Sequence, residues 1–420
     1  MQARCHARLR GRGRARSGPG REHGARKANG TARHRAVTAC AAAPGPCILL
    51  PVRHIGIIGG STHGGRRMGI ETAADHHVLA GLRADERCAA WIASLEALEV
   101  SGLAIPPLPR GAAFEEALAW LAVPDDDRAT MHALHPVLAG SAELEWLRTR
   151  SVASLLAAMD VVAAPHGFPV WPESFGELGR FFYVFVYASI LPATRALFAT
   201  RGIPEAIQRA SMADIGRNMQ VHRKRHGTRG LAAPDWLMLH ARGMIFQLGR
   251  LQFERAKLGT RTSTTIGESG FPWKAGDPTL SIHIPDFMGS MSPEACDASF
   301  AEAAAFFPRF FPEEEVHTAV CNSWLLDTQL RDYLDPRSNT IAFQRRFRHI
   351  RPGEWANDGP LRFVFGPVDW PLDDYPQETS IQRAIVNHLK NGGSWHGGMG
   401  WMEFPPTSVQ ANPAAPADAR

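Results

Sequence analysis

Near Trp236 the spacing of apolar residues changes, and that change constrains the fold more than any motif in the chain. Upstream, apolar residues recur three and four apart: Trp91, Leu95 and Leu98, then Phe114, Ala117, Leu118 and Leu121. This spacing places them on one face of a helix. Breakers at Pro106-Pro107, Pro124-Asp125, Gly140 and Pro165-His166-Gly167 cut this half into separate helices, with 131–138 and 142–159 among them. Gly202-Ile203-Pro204 ends one helix and 205–221 begins another. Downstream, 244–255 alternates with a phase slip at Gly249, which predicts one strand carrying a glycine bulge. In the next strand Leu280, Ile282 and Ile284 share a face, which leaves His283 on the other. Ser292-Pro293 reads as an N-cap followed by proline at the first helical position, opening a helix over 294–307. The pattern then predicts a strand at 316–321, a short helix at 325–334, strands at 340–349 and 361–365, and a last helix over 380–390. The fold class is therefore α+β, an all-helical N-terminal domain (68–235) followed by a mixed α/β domain (236–404).

The net charge of +5 and the pI near 9.0 invite a nucleic-acid reading, so the position of the charge matters. The first 40 residues hold ten Arg, one Lys and one Glu, a local +10 that leaves −5 on the other 380. The basic pI thus belongs to the leader, and no nucleic-acid partner is expected. Residues 1–67 are rich in Arg, Gly and Ala without apolar periodicity and are expected either to be disordered or to be spurious, translation then beginning at Met68. Residues 405–420 are expected to be a disordered Pro/Ala-rich tail. The longest apolar run, 181–191, is too short to cross a bilayer of about 30 Å. It reads as buried core, and no membrane partner is expected. Cys88, Cys296 and Cys321 are far apart and no CxxC occurs, so a cytoplasmic, reducing location fits and no structural metal is expected.

Several segments carry a resemblance: Phe246-Gln247-Leu248-Gly249-Arg250-Leu251-Gln252-Phe253-Glu254, Cys321-Asn322-Ser323-Trp324-Leu325-Leu326-Asp327, Ser338-Asn339 before Phe343-Gln344-Arg345-Arg346-Phe347, and Thr379-Ser380-Ile381-Gln382-Arg383. Over about 70–404 the chain resembles a bacterial family, frequent in actinobacteria, that joins an N-acyltransferase-like N-terminal domain to a GNAT-like C-terminal domain. The resemblance implies acyl transfer from a CoA-type thioester to an amine, with acyl-CoA as cosubstrate, a small-molecule acceptor and no tightly bound cofactor. Such chemistry needs backbone amides at a helix N-terminus for the pyrophosphate, a base for the amine and an acid for the leaving thiolate. Gly289, Ser290 and Ser292 are placed for the phosphates, although the Q/R-x-x-G-x-G/A signature is absent and Asp286 has the wrong sign there. Tyr333 is the candidate acid, and His283 and Glu254 are candidate bases.

Each candidate has a plainer reading. Tyr333 can pack its helix on the sheet, and a lone strand histidine is most often simply hydrogen-bonded. Asn322 and Ser323 are candidates for a substrate pocket at the sheet edge, or organise the strand-to-helix turn together with Asp327. Arg345, in phase with Ile341 and Phe343 on the expected strand, would point inward and need an anion, unless a bulge turns it out. His317 and Cys321 lie about 13 Å apart on a strand, too far for a nucleophile and its base. His222 and His226 are at i, i+4 with no carboxylate between them, and the basic run 217–229 reads as a solvated connector that an anionic ligand could also use. Two functions stay open: an acyltransferase, or a non-catalytic GNAT-like protein that binds a ligand or mediates assembly.

Overall fold

The computed structural model describes residues 78–162, 167–353, 357–366 and 368–406. The basic leader, the start at Met68 and nearly all of the 405–420 tail lie outside the described residues. Nine α-helices are described in the first half: α1 (Val78–Arg83), α2 (Glu86–Ala97), α3 (Ala112–Trp120), α4 (Asp125–Gly140), α5 (Ala142–Ala157), α6 (Gly176–Arg201), α7 (Glu205–Met212), α8 (Asp214–His226) and α9 (Pro234–Ala241). Their starts follow local chemistry. The Asp85 side chain accepts the amides of Arg87 and Cys88 to open α2, and Ser141 accepts that of Leu144 to open α5. The segment expected as one helix from 205 is two, because the chain turns at Ala213.

The 181–191 run is the middle of α6, and every residue in it is buried. With its lead-in turn, this helix is the one described segment long and apolar enough by composition to span a membrane, yet 72% of its apolar window is buried within the protein. Neighbouring elements supply the cover: Phe114 stacks on Phe185 at 5.9 Å and Trp171 on Phe182 at 4.5 Å. Each such buried aromatic or aliphatic side chain stabilises the fold by about 1.5–3 kcal/mol. Burial, not lipid, accounts for the apolarity of α6.

The second half contains β1 (Ile245–Leu248), β2 (Leu251–Lys257), α10 (Thr260–Glu268), β3 (Pro278–His283), α11 (Pro293–Phe310), β4 (Thr318–Ser323), α12 (Asn339–Gln344), β5 (Arg348–Pro352), α13 (Asp358–Val364), α14 (Ser380–Lys390) and β6 (Gly398–Glu403). One six-stranded sheet runs β1-β2-β3-β4-β6-β5, with only β3 and β4 parallel. The α+β class holds, and four local expectations are corrected. The slip at Gly249 is not a bulge but a hairpin turn: Leu248 pairs with Leu251, and Gly249 takes φ +62°. A two-residue hairpin of that type needs glycine at its first central position. The run 340–349 is not one strand, because the Ser338 side chain caps a short helix, α12, and only its end becomes β5. The run 361–365 lies in helix α13 and its cap. The short helix expected over 325–334 is two 3-10 segments, Trp324–Leu326 and Thr328–Asp332.

Helix α11 packs against one face of the sheet, with Phe300 and Phe307 against Phe253 at 5.7 and 6.5 Å and Phe306 against Phe246 at 4.8 Å. Its start is as read from sequence: Ser292 accepts the Ala295 amide and Pro293 occupies the first turn. The feature that positions the site is the β3–β4 junction. Among the described residues this parallel ladder pairs only Leu280 with Ala319 and Ser281 with Val320. Meanwhile β2 follows β3 to His283 and β6 follows β4 to Ser323. The sheet therefore divides into two halves that part at their C-terminal ends, with α11 starting beyond the opening.

Candidate active site

The β2–β3 register decides what meets at this opening. Gln252 lies opposite His283 and Glu254 opposite Ser281, so all four side chains share the face turned away from α11. On that face His283 Nε2 lies 2.8 Å from Glu254 Oε2, and the two side chains are 24% and 22% exposed, accessible to a substrate without being loosely held. The two residues named from sequence as separate candidate bases are thus one hydrogen-bonded pair. With the carboxylate as acceptor, Nε2 carries the proton and the Nδ1 lone pair is left to accept another.

Helix α9 covers the pair. The Trp236 ring lies 4.6 Å from that of His283, edge to face, and its Nε1 donates to Asp214 Oδ2 at 3.4 Å. Asp214 is buried and also accepts from Arg217 Nε at 2.9 Å and Asn218 Nδ2 at 2.9 Å, with His240 Nε2 at 3.3 Å. Burial alone would raise the Asp214 carboxyl. His240, the Arg217 charge and the hydrogen bonds from Arg217 and Gln252 outweigh burial and hold it below the usual carboxylate range. Burial in turn pushes His240 down, to about 4. Sequence reading passed over Asp214, Trp236 and His240. The available signal was the i, i+4 spacing of Trp236 and His240, which puts both rings on one face of α9.

The phosphate candidates sit in the 284–292 connection between β3 and α11. Arg250 Nε donates to Gly289 O at 3.1 Å and its Nη1 to Pro285 O at 3.0 Å, while Asn339 Nδ2 donates to Ser290 Oγ at 2.9 Å. Ser292 serves as the helix cap, and exposed Glu294 turns back on its own amide and on Ser292. Two amides of the first turn of α11, those of Glu294 and Ala295, are thus met by its own side chains. Asp286, the residue of the wrong sign, is matched by Arg225 Nη2 at 2.7 Å.

The remaining candidates do not join the His283–Glu254 pair. The Tyr333 hydroxyl lies 3.0 Å from His388 Nδ1, whose Nε2 is 3.2 Å from Ser394 O, and the ring packs beside Trp395 in a second apolar cluster. Ser323 accepts the Leu325 amide, and Asn322 is exposed at the end of β4. Asp327 accepts the amides of Gln329, His396 and Gly397, the turn-organising role read from sequence. Arg345 does not point inward. In a helix cap rather than a strand it is exposed, and its neighbour Arg346 is the one engaged, with Asp297 at 2.5 Å and Pro293 O at 3.0 Å. His222 Nε2 is held 3.0 Å from Thr228 Oγ1. Cys321 is buried, and burial pushes its thiol up to about 12, which disfavours the thiolate there. Iodoacetamide at pH 8 is expected to leave Cys321 unmodified in native protein and to label it after denaturation, read by peptide mass spectrometry. Labelling in the native state would show that β4 opens.

Residues 112–243 match the N-acyltransferase N-terminal domain and residues 245–402 the GNAT-like C-terminal domain. Among solved structures, an acyltransferase bound to CoA and 10C-teicoplanin is 32% identical, with a TM-score of 0.69 over 78% of this chain and 99% of its own. The protein belongs to this two-domain acyltransferase family. An acyltransferase mutant in complex with octanoyl-CoA matches with the same identity, coverage and TM-score, and an acyltransferase with decanoyl-CoA matches at 0.68. No curated protein matches at the sequence level. Within the acyltransferase, the boundary between the two matched regions falls just after α9, so Trp236 reaches His283 from the N-terminal region.

Proposed function

We propose that the protein transfers an acyl group from a CoA thioester to an amine, with His283 as general base and Glu254 as its orienting partner. The observation that carries this reading is the His283–Glu254 pair at the end of β3, where the sheet parts from β4. The amine nitrogen attacks the thioester carbonyl, the C–N bond forms, and His283 Nδ1 takes the proton. The C–S bond then breaks, and the CoA thiolate takes a proton from the His283 imidazolium or from solvent. Glu254 keeps the ring oriented and stabilises its charged form during the step. The 284–292 connection, with Gly289, Ser290 and Ser292, faces the donor phosphates. Octanoyl- and decanoyl-CoA, each bound by a structural relative, are the first donors to test, with teicoplanin, bound beside decanoyl-CoA in another relative, as the first acceptor.

The test is to incubate purified protein with each acyl-CoA and an amine acceptor, following free thiol release and the acceptor's mass. Acylated acceptor with stoichiometric CoA release supports transfer. Binding of acyl-CoA without release across the acceptor panel supports the second reading, a non-catalytic ligand-binding protein.

A further inference from the structure

The His283 ring has two neighbours besides Glu254, and one buried carboxylate holds both. Trp236 lies edge to face against the ring at 4.6 Å. Gln252 stands directly opposite His283 in the β2–β3 register, so its side chain is on the same face of the sheet. Trp236 Nε1 donates to Asp214 Oδ2 at 3.4 Å, and the Gln252 side chain hydrogen-bonds the same carboxylate. Helix α9, strand β2 and helix α8 thus meet at one side chain.

That side chain is itself fixed. Asp214 is 2% exposed at the start of α8, and its own helix supplies Arg217 Nε to Oδ1 and Asn218 Nδ2 to Oδ2, both at 2.9 Å. Arg217 is braced in turn, with Nη2 donating to Ala210 O at 2.9 Å and to Gln247 Oε1 at 3.2 Å. Gln247 Nε2 donates to Gly249 O at 2.8 Å and to Leu251 O at 3.1 Å. The carboxylate is therefore anchored to the β1–β2 hairpin, which also carries Gln252 and Glu254. Taking a charge out of water is costly, and a buried ion pair is weak evidence of a contribution to stability. What this one supplies is direction, because each of its donors is held to one geometry.

We propose that Asp214 is a positioning residue for the base. It fixes the Trp236 indole and the Gln252 amide, and through them the plane of the His283 ring, so that Nδ1 is presented to the acceptor amine in one direction. The inference rests on the reading of His283 as the base. It makes the base a joint product of both matched regions: Asp214 and Trp236 come from the N-terminal one, and Gln252, Glu254 and His283 from the C-terminal one.

The test is steady-state kinetics of the full chain with octanoyl-CoA and teicoplanin, with each substitution made in wild type and in His283→Ala. Asp214→Ala is expected to lower kcat about 10- to 100-fold, with the KM for octanoyl-CoA within about twofold, as a misplaced catalytic group would. Asp214→Asn keeps an oxygen acceptor for Trp236 and Gln252 and is expected to recover kcat to within about threefold of wild type. In His283→Ala, the Asp214→Ala change is expected to alter kcat by less than about twofold, because residues that act as a unit are not additive. Trp236→Phe supplies the same comparison at a half-buried position: it keeps a ring and removes only the Nε1 donor, so it remains informative even where Asp214→Ala does not fold. Its loss in kcat is expected to be about 3- to 10-fold in wild type and absent in His283→Ala. A loss that persists in the His283→Ala background would mark a structural role and overturn the proposal. So would a kcat for Asp214→Ala within about twofold of wild type. Transfer by His283→Ala at the wild-type rate would instead overturn the base assignment beneath it, and the absence of transfer by wild type the acyltransfer reading itself.

Discussion

Replacing His283 with alanine is expected to lower kcat by about 10²- to 10⁴-fold, the usual contribution of a positioned general base. The KM for acyl-CoA should change little, because His283 acts on the acceptor amine and not on the donor's phosphates. The expectation follows from geometry. Its Nε2 is committed to Glu254 at 2.8 Å, and the ring is held by Trp236 at 4.6 Å, so one nitrogen is presented in a fixed direction. Glu254→Gln keeps the hydrogen bond but removes the charge that stabilises an imidazolium, so its loss should be smaller, about tenfold. Steady-state kinetics with octanoyl-CoA decides the matter. A His283→Ala enzyme within about threefold of wild-type kcat would move the base elsewhere and leave the pair a structural contact. Because both side chains are partly exposed, the substitution should leave the melting temperature nearly unchanged, which separates lost chemistry from lost fold.

The largest expected effect on stability is at Arg255. This residue of β2 is 3% exposed, on the face packed against α11. Its guanidinium bonds Glu314 through Nε at 3.0 Å and Nη2 at 2.5 Å, pairs with Asp160 through Nη1, and lies 4.0 Å from the Phe311 ring. Asp160 belongs to the segment after α5 and is bonded in turn by Arg201 of α6, so the cluster ties the helices to the sheet. Arg255→Met keeps the volume but strands two partly buried carboxylates. Removing one partner from a buried ion cluster costs about 3–5 kcal/mol. Urea unfolding should show the midpoint falling with the slope unchanged. A loss below about 1 kcal/mol would mean that Arg201 suffices for Asp160 and that Glu314 is hydrated instead.

Much of the scaffold was legible because its signals are local. Ser292-Pro293 marks the start of α11 by cap chemistry alone, and Thr379 with Gln382 forms a capping box at α14. Buried 181–191 followed from its composition. The run 361–365 was misread because a period of 2 and a period of 3.6 match equally well over five residues. At 340–349 the decisive residue was Ser338, whose hydroxyl caps α12, and the strand that pairs along β4 came instead from β6, a glycine-containing segment that carries little alternation.

The sequence by itself determined the helix-then-sheet order, the break at Gly249 though not its nature as a hairpin turn, and, residue by residue, the identity of both members of the candidate base pair. The tertiary structure alone decided that His283 and Glu254 are partners, since that depends on the β2–β3 register across 29 residues of separation. It also brought Trp236 and Asp214 from the helical region onto the same spot, and set Lys224 over Phe287 and Arg225 over Phe363. Caps and periodicity act within a few residues along the chain. A site is made by groups that approach one another only after distant apolar faces have been buried together.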